Sequence, residues 1–214
     1  EKSFQRKAKD FGLQEPKGIL LVGVPGCGKS LTAKCVAASW KQPLLKLDIG
    51  KVFQAEVGAS ENNIRQAIET AEAVAPCVLW IDEIEKGLNT GGGEKDGGTN
   101  SRVFSTILTW MQEKTKPVFV VATANNIQAL PPELLRKGRF DEIFFVDLPT
   151  KEERKNIFKI HLKRYGQGSI VNFEELVEKS KYFNGAEIEE CVKEAMFIAY
   201  DENQDVKEIT LKHL

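Results

Sequence analysis

One short stretch constrains this chain more than any other. Gly23-Val24-Pro25-Gly26-Cys27-Gly28-Lys29-Ser30 fits the pattern G-x-x-x-x-G-K-[ST], directly after the apolar run Gly18 to Val22 and directly before a helical pattern. Its glycines let backbone N–H groups turn inward around phosphate oxygens, and the following helix adds its positive dipole end. Lys29 then supplies a point charge to the β- and γ-phosphates, and Ser30 a hydroxyl to Mg²⁺. The expected nucleotide contacts run through Gly23, Val24, Pro25, Gly26, Cys27, Gly28, Lys29, Ser30 and Leu31. Asp48 lies at a suitable distance to bind a ribose in a dinucleotide fold, but the glycines are not in G-x-G-x-x-G order. Cys27 reads as a small tolerated residue rather than a redox group.

The rest of the chain supports a layered architecture. Further strand candidates are Leu44 to Asp48, Val78 to Asp82, Val118 to Thr123 and Ile143 to Val146, apolar on both faces as in a buried parallel sheet. Helical stripes lie between them, among them Ile64, Ala67, Ile68 and Ala71, and then Phe104, Ile107, Leu108 and Met111. This alternation predicts an α/β fold, a P-loop NTPase parallel sheet sandwiched by helices. Beyond Leu148-Pro149-Thr150 the strand pattern stops, and amphipathic helices take over, with Ile188, Cys191, Val192, Ala195 and Ala199 on one stripe. The expected domains are a core over 1–149 and a small all-helical lid over 150–214. Asn89 to Asn100, with five glycines, reads as a loop.

Composition excludes several classes. The chain has 214 residues, 42% hydrophobic and 29% charged, so a packed core is within reach without disulfides or a structural metal. Its four cysteines show no zinc spacing, and reduced thiols are expected. A formal net charge of −1 gives no overall footprint for nucleic acid. No apolar run approaches the ~20 residues of a membrane span, and no signal peptide is evident. A chain that opens on Glu1 is expected to be a piece of a longer protein.

Two further clusters carry chemistry. Val78-Leu79-Trp80-Ile81-Asp82-Glu83 is an apolar strand ending in two carboxylates. Asp82 is placed to orient Mg²⁺ and its waters, and Glu83 to orient or deprotonate an attacking water, which favours hydrolysis over phosphate transfer to a small molecule. After the next strand, Asn125 offers an amide to the γ-phosphate and the water.

With these residues in hand, the chain resembles the AAA ATPases. The phosphate loop, Asp82-Glu83, Asn125 and Leu134-Leu135-Arg136-Lys137-Gly138-Arg139-Phe140-Asp141 follow that family's order, and Tyr182-Phe183-Asn184-Gly185-Ala186-Glu187 is similar to its lid motif. Trp80-Ile81-Asp82-Glu83-Ile84-Glu85-Lys86 and the segment from Pro131 to Pro149 look most like AAA proteins of a conserved open reading frame in algal plastids and cyanobacteria. The resemblance implies that Asn125 senses the γ-phosphate and that Arg136 and Arg139 are arginine fingers reaching a neighbouring subunit's nucleotide. It implies that Gly185 and Ala186 pack near base and sugar, and that His161 approaches the ribose. It implies ATP or ADP with Mg²⁺ as cofactors, a homo-oligomeric ring, usually a hexamer, and remodelling of a protein partner. A cytoplasmic location is expected, or the plastid stroma for an algal source.

Local alternatives stand beside these roles. Arg139 could pair with Asp141 or Glu142 at the surface, and His161 could be a packing residue beside Ile157 and Ile160. The pattern also departs from the family in one place. Glu56, in Ala55-Glu56-Val57-Gly58, stands where many protein-threading rings carry an aromatic pore residue. That departure favours a folded or basic partner, or a regulatory switch. An ATP-gated scaffold with little turnover remains an alternative to the ATPase. Lys151, Arg154, Lys155, Lys159, Lys163 and Arg164 keep a nucleic-acid motor as a third, less favoured reading.

Overall fold

A computed structural model describes residues 10–13, 15–53, 59–87, 97–136, 138–166, 172–202, 209–210 and 212–214. Lys137 and the Ala55-to-Gly58 stretch with Glu56 lie outside them. The chain divides into two compact units, one of residues 1–23 and 29–145, the other of 24–28 and 146–214.

In the first unit, strands β1 (Gly18–Gly23), β2 (Leu44–Leu47), β3 (Cys77–Ile81), β4 (Val118–Ala124) and β5 (Glu142–Val146, whose last residue falls to the other unit) form one sheet in the order β2-β3-β4-β1-β5. The pairs β2–β3, β3–β4 and β1–β4 are parallel. Right-handed crossovers between parallel strands require helices. These are α1 (Lys29–Trp40), the short α2 (Ile49–Phe53), α3 (Ala59–Val74) and α4 (Gly97–Glu113). The stripes expected from spacing do the packing: Ile64, Ala71, Phe104, Ile107, Leu108 and Met111 are buried in one core with Leu20, Leu79, Ile81 and Val120.

Two expectations need correction. Gly97 to Asn100 belong to α4 rather than to a loop, while 89–96 lie outside the described residues. β5 is not buried on both faces: it sits at the end of the strand order, and Phe144 and Phe145 are exposed. An apolar run alone does not say whether a strand is central or at an edge.

In the second unit, α5 (Lys151–Arg164), α6 (Phe173–Lys179) and α7 (Gly185–Glu202) close around Phe158, Leu162, Leu176, Ile188, Val192, Ala195 and Ala199. Among the described residues this unit's only strand residue is Val146, the end of β5. Thr150 starts α5 with a capping box. Its hydroxyl accepts from Glu153 N–H and its own N–H donates to the Glu153 carboxylate. Cys191 packs half-buried on the α7 stripe, and burial pushes its thiol up, as expected of a packing residue.

Arg154 is the most telling side chain of this unit. It is buried, and its two terminal nitrogens donate to the carbonyls of Pro149 (2.9 Å) and Val177 (3.0 Å), tying the start of α5 to α6. Arg154→Ala would strand two carbonyls and open a void. We expect it to lower stability by about 2–4 kcal/mol. A urea titration checks this, and a loss below ~1 kcal/mol would remove the structural role.

Candidate active site

Parallel sheets present their functional groups at the carboxyl ends of strands, where loops cross to helices. Within the first unit, the ends of β1, β3 and β4 do this. Lys29 opens α1, is buried, and its Nζ donates to the Gly23 carbonyl at 2.8 Å. Ser30, next along α1, donates through Oγ to Asp82 Oδ1 at 2.9 Å. Thr123, at the end of β4, donates to the same oxygen at 2.8 Å and accepts the Glu83 N–H at 2.9 Å. One hydroxyl therefore fixes both acidic residues. Burial pushes the Asp82 carboxyl up, but hydrogen bonds from Thr123, Ser30 and Lys46 outweigh it and hold the group below the ordinary aspartate range.

Glu83 adopts a left-handed backbone conformation, with φ 48°. For a non-glycine residue this is uncommon. The Glu83 carboxylate accepts from Asn125 Nδ2 at 3.0 Å and pairs with Lys86. Asn125 is itself fixed from behind, because its N–H donates to Glu85 Oε1 at 2.8 Å. Glu85 is buried, one turn beyond the acidic pair.

Sequence reasoning assigned roles to Lys29, Ser30, Asp82, Glu83 and Asn125, and the structure places all of them at the carboxyl ends of β1, β3 and β4. It missed Thr123, Glu85 and Lys46. Each left a signal: a hydroxyl closing an apolar strand, an acid shortly after the pair, and a lone charge in Leu44-Leu45-Lys46-Leu47.

The loop residues Val24 to Gly28 group with the lid helices. Gly26 has φ 80°, and a Cβ there would lie 2.5 Å from Asn184 Oδ1. Its carbonyl accepts the Ala186 N–H at 3.2 Å, and a Cβ on Gly185 would sit 3.1 Å from that carbonyl. Gly185 and Ala186 thus pack directly on the phosphate loop, at the start of α7. Asn184 and Glu187 cap this start reciprocally, at 2.7 and 2.9 Å. Val24 and Leu31 are exposed, and Cys27 is half-buried with its Sγ 3.9 Å from the Pro25 carbonyl.

His161 is half-buried on α5, with Nδ1 buried and lacking a hydrogen-bond partner. Its expected face is only partly right: Ile157 packs on the lid core, but Ile160 is exposed. Arg136 is exposed, and Arg139 donates to the Glu133 carbonyl. Asp141 is engaged elsewhere, its Oδ2 accepting from Lys17 N–H (2.6 Å) and Gly18 N–H (2.9 Å). The basic face of α5 is largely matched within the lid. Lys151 pairs with Glu178 (2.6 Å), Lys155 with Glu174 (3.0 Å) and Arg164 with Glu189 (3.7 Å).

A strand-ending carboxylate pair, a buried lysine and an amide after the next strand thus gather at the carboxyl ends of β1, β3 and β4. The family model for the ATPase family associated with various cellular activities (AAA) matches residues 19–148, and that for the AAA+ lid domain matches 170–214. The chain belongs to the AAA ATPase family. It is an α/β P-loop NTPase with a lid, and its domain binds and hydrolyses ATP. Among its relatives is the AAA domain-containing protein ycf46 of Guillardia theta, 55% identical over 95% of this chain and 40% of the relative. Another is the ycf46 protein of Trieres chinensis, 51% identical over 95% of this chain and 41% of the relative. The cell division cycle protein 48 homolog of Archaeoglobus fulgidus is 38% identical over 89% of this chain and 26% of its own length. The chain thus spans about two fifths of the ycf46 relatives it matches.

Proposed function

We propose that the whole protein hydrolyses ATP with Mg²⁺ at sites completed by a neighbouring subunit of a homo-oligomeric ring, a hexamer for preference, and uses the cycle to remodel a protein partner. The observation that carries this reading is the continuous chain Ser30–Asp82–Thr123–Glu83–Asn125. It aligns a metal-side hydroxyl, two carboxylates and an amide through successive hydrogen bonds.

The residues fit Mg²⁺. Ser30 Oγ and Asp82 are hard oxygen donors, and among the described residues no cluster of three or more His, Cys, Asp or Glu side chains forms a self-sufficient cage. One carboxylate with substrate phosphates and waters is what Mg²⁺ prefers. Bound there, the ion would neutralise phosphate charge. The chain's own residues do the rest. Gly23 to Gly28 and Leu31 hold the nucleotide, Lys29 draws charge from the transferred phosphate, and Glu83 takes the proton of the attacking water. Asn125 holds Glu83 and the γ-phosphate in line. In this reading Gly185 and Ala186 serve the base and sugar, and His161 the ribose.

Arg136 and Arg139 supply the finger role. Arg136 is exposed, and Arg139 donates to the Glu133 carbonyl, an uncharged partner that does not neutralise its guanidinium. The division into a nucleotide core (1–149) and a lid (150–214) fits this scheme. The matched charges of α5 favour a protein partner over nucleic acid. Among the described residues no helix is long and apolar enough to cross a membrane. The kinship with ycf46 proteins supports a plastid stroma, or a cytoplasm, as the working compartment.

The test is specific ATPase rate against protein concentration. Shared sites require the rate per subunit to climb as subunits associate, and Arg139→Ala to lower kcat about 10³-fold while ATP still binds. A concentration-independent rate with a harmless Arg139→Ala would show the sites to be complete within one subunit.

A further inference from the structure

Lys46 is the one charged side chain of β2, in register with Trp80 of β3, while Leu47 is in register with Ile81. Its ammonium lies over the Trp80 indole, with Nζ 4.3 Å from the ring centroid. From there Nζ reaches Asp82 Oδ2 at 3.4 Å. The two oxygens of Asp82 are therefore divided. Oδ1 receives the hydroxyls of Ser30 and Thr123, and Oδ2 faces the lysine.

We infer that Lys46 is a positioning residue that lowers the affinity of this site for its divalent cation, so that the cation enters and leaves with the nucleotide phosphates. The inference rests on the reading of Asp82 as a metal-site residue. Three considerations lead to it. The lysine side chain is 48% exposed and that of Asp82 24%, so the ion pair adds little to stability. The indole face nevertheless restrains the ammonium beside the carboxylate, which a free surface lysine would not be. A fixed positive charge a few ångströms from a cation's water shell repels it. In a partly solvated site that repulsion weakens cation binding by about ten- to a hundredfold. Asp82 alone then holds a cation poorly, and the nucleotide's phosphates must supply the missing attraction.

The experiment is Mn²⁺ titration of the protein–ADP complex, following the free Mn²⁺ signal by electron paramagnetic resonance. Lys46→Met should bind Mn²⁺ about tenfold more tightly than the parent, and Lys46→Arg, which keeps the charge, should match the parent within about twofold. ADP affinity in excess chelator should be the same in all three. Lys46→Gln supplies a second neutral variant if the methionine form is unstable in thermal unfolding. Unchanged or weaker Mn²⁺ binding in the neutral variants would overturn the inference, as would an arginine variant that behaves like them. Asp82→Asn separates this failure from that of the underlying reading. If it weakens Mn²⁺ binding while the Lys46 variants do nothing, only the lysine's role falls. If it leaves Mn²⁺ binding intact, the metal-site reading falls and the inference with it.

Discussion

Lys29→Ala is expected to lose ATP and ADP binding by roughly 30- to 1,000-fold, measured by fluorescent-nucleotide titration. Lys29 is buried at the start of α1 with its Nζ held at the Gly23 carbonyl. That carbonyl belongs to the first glycine of the G-x-x-x-x-G-K-[ST] pattern, at the end of β1. Charge-assisted hydrogen bonds contribute about 1.5–3 kcal/mol each, and each 1.4 kcal/mol is tenfold in affinity. The substitution should cost only about 1 kcal/mol of fold stability through the unpaired Gly23 carbonyl. Loss of binding with a near-parental unfolding midpoint is therefore the expected pair of results. Binding that survives within threefold would remove the lysine from the phosphate site.

Glu83→Gln is expected to leave nucleotide binding within a few-fold of the parent and to lower kcat by about 10²–10⁴. Glutamine keeps the shape, and its side-chain oxygen can still accept from Asn125 Nδ2. The Glu83 N–H bond to Thr123 is a backbone bond and survives as well. What disappears is the capacity to take a proton, together with an ion pair to Lys86 whose lysine is mostly exposed. The split between binding and turnover, read by single-turnover hydrolysis, separates a general base from a structural acid. Equal turnover in parent and variant would mean either that Glu83 is not the base or that the domain works as a switch.

Much of this site was legible in the chain. The phosphate loop and the acidic pair are local patterns whose spacing alone puts functional groups at strand ends, and the lid's stripe on α7 predicted its buried residues. Less legible was anything that depends on which strands are neighbours. Thr123 matters because β4 lies beside β3, so that its hydroxyl meets Asp82. Lys46 matters because β2 flanks β3 on the other side. Neither pairing follows from one sequence. The same ignorance of strand order made β5 look buried when Phe145 is 70% exposed. Glu85 was visible as an acid after the pair, but its use as the support of Asn125 N–H appears only once the loops converge.

The central claim is that one subunit's Glu83 works with a neighbour's Arg139. Mixing two inactive variants, Glu83→Gln and Arg139→Ala, tests it most directly. In a mixed ring some interfaces join an intact Glu83 from the arginine variant to an intact Arg139 from the glutamine variant. ATP hydrolysis should therefore reappear on mixing, well above the sum of the separate samples. A mixture no more active than its two components, under conditions where they co-assemble, would contradict the account.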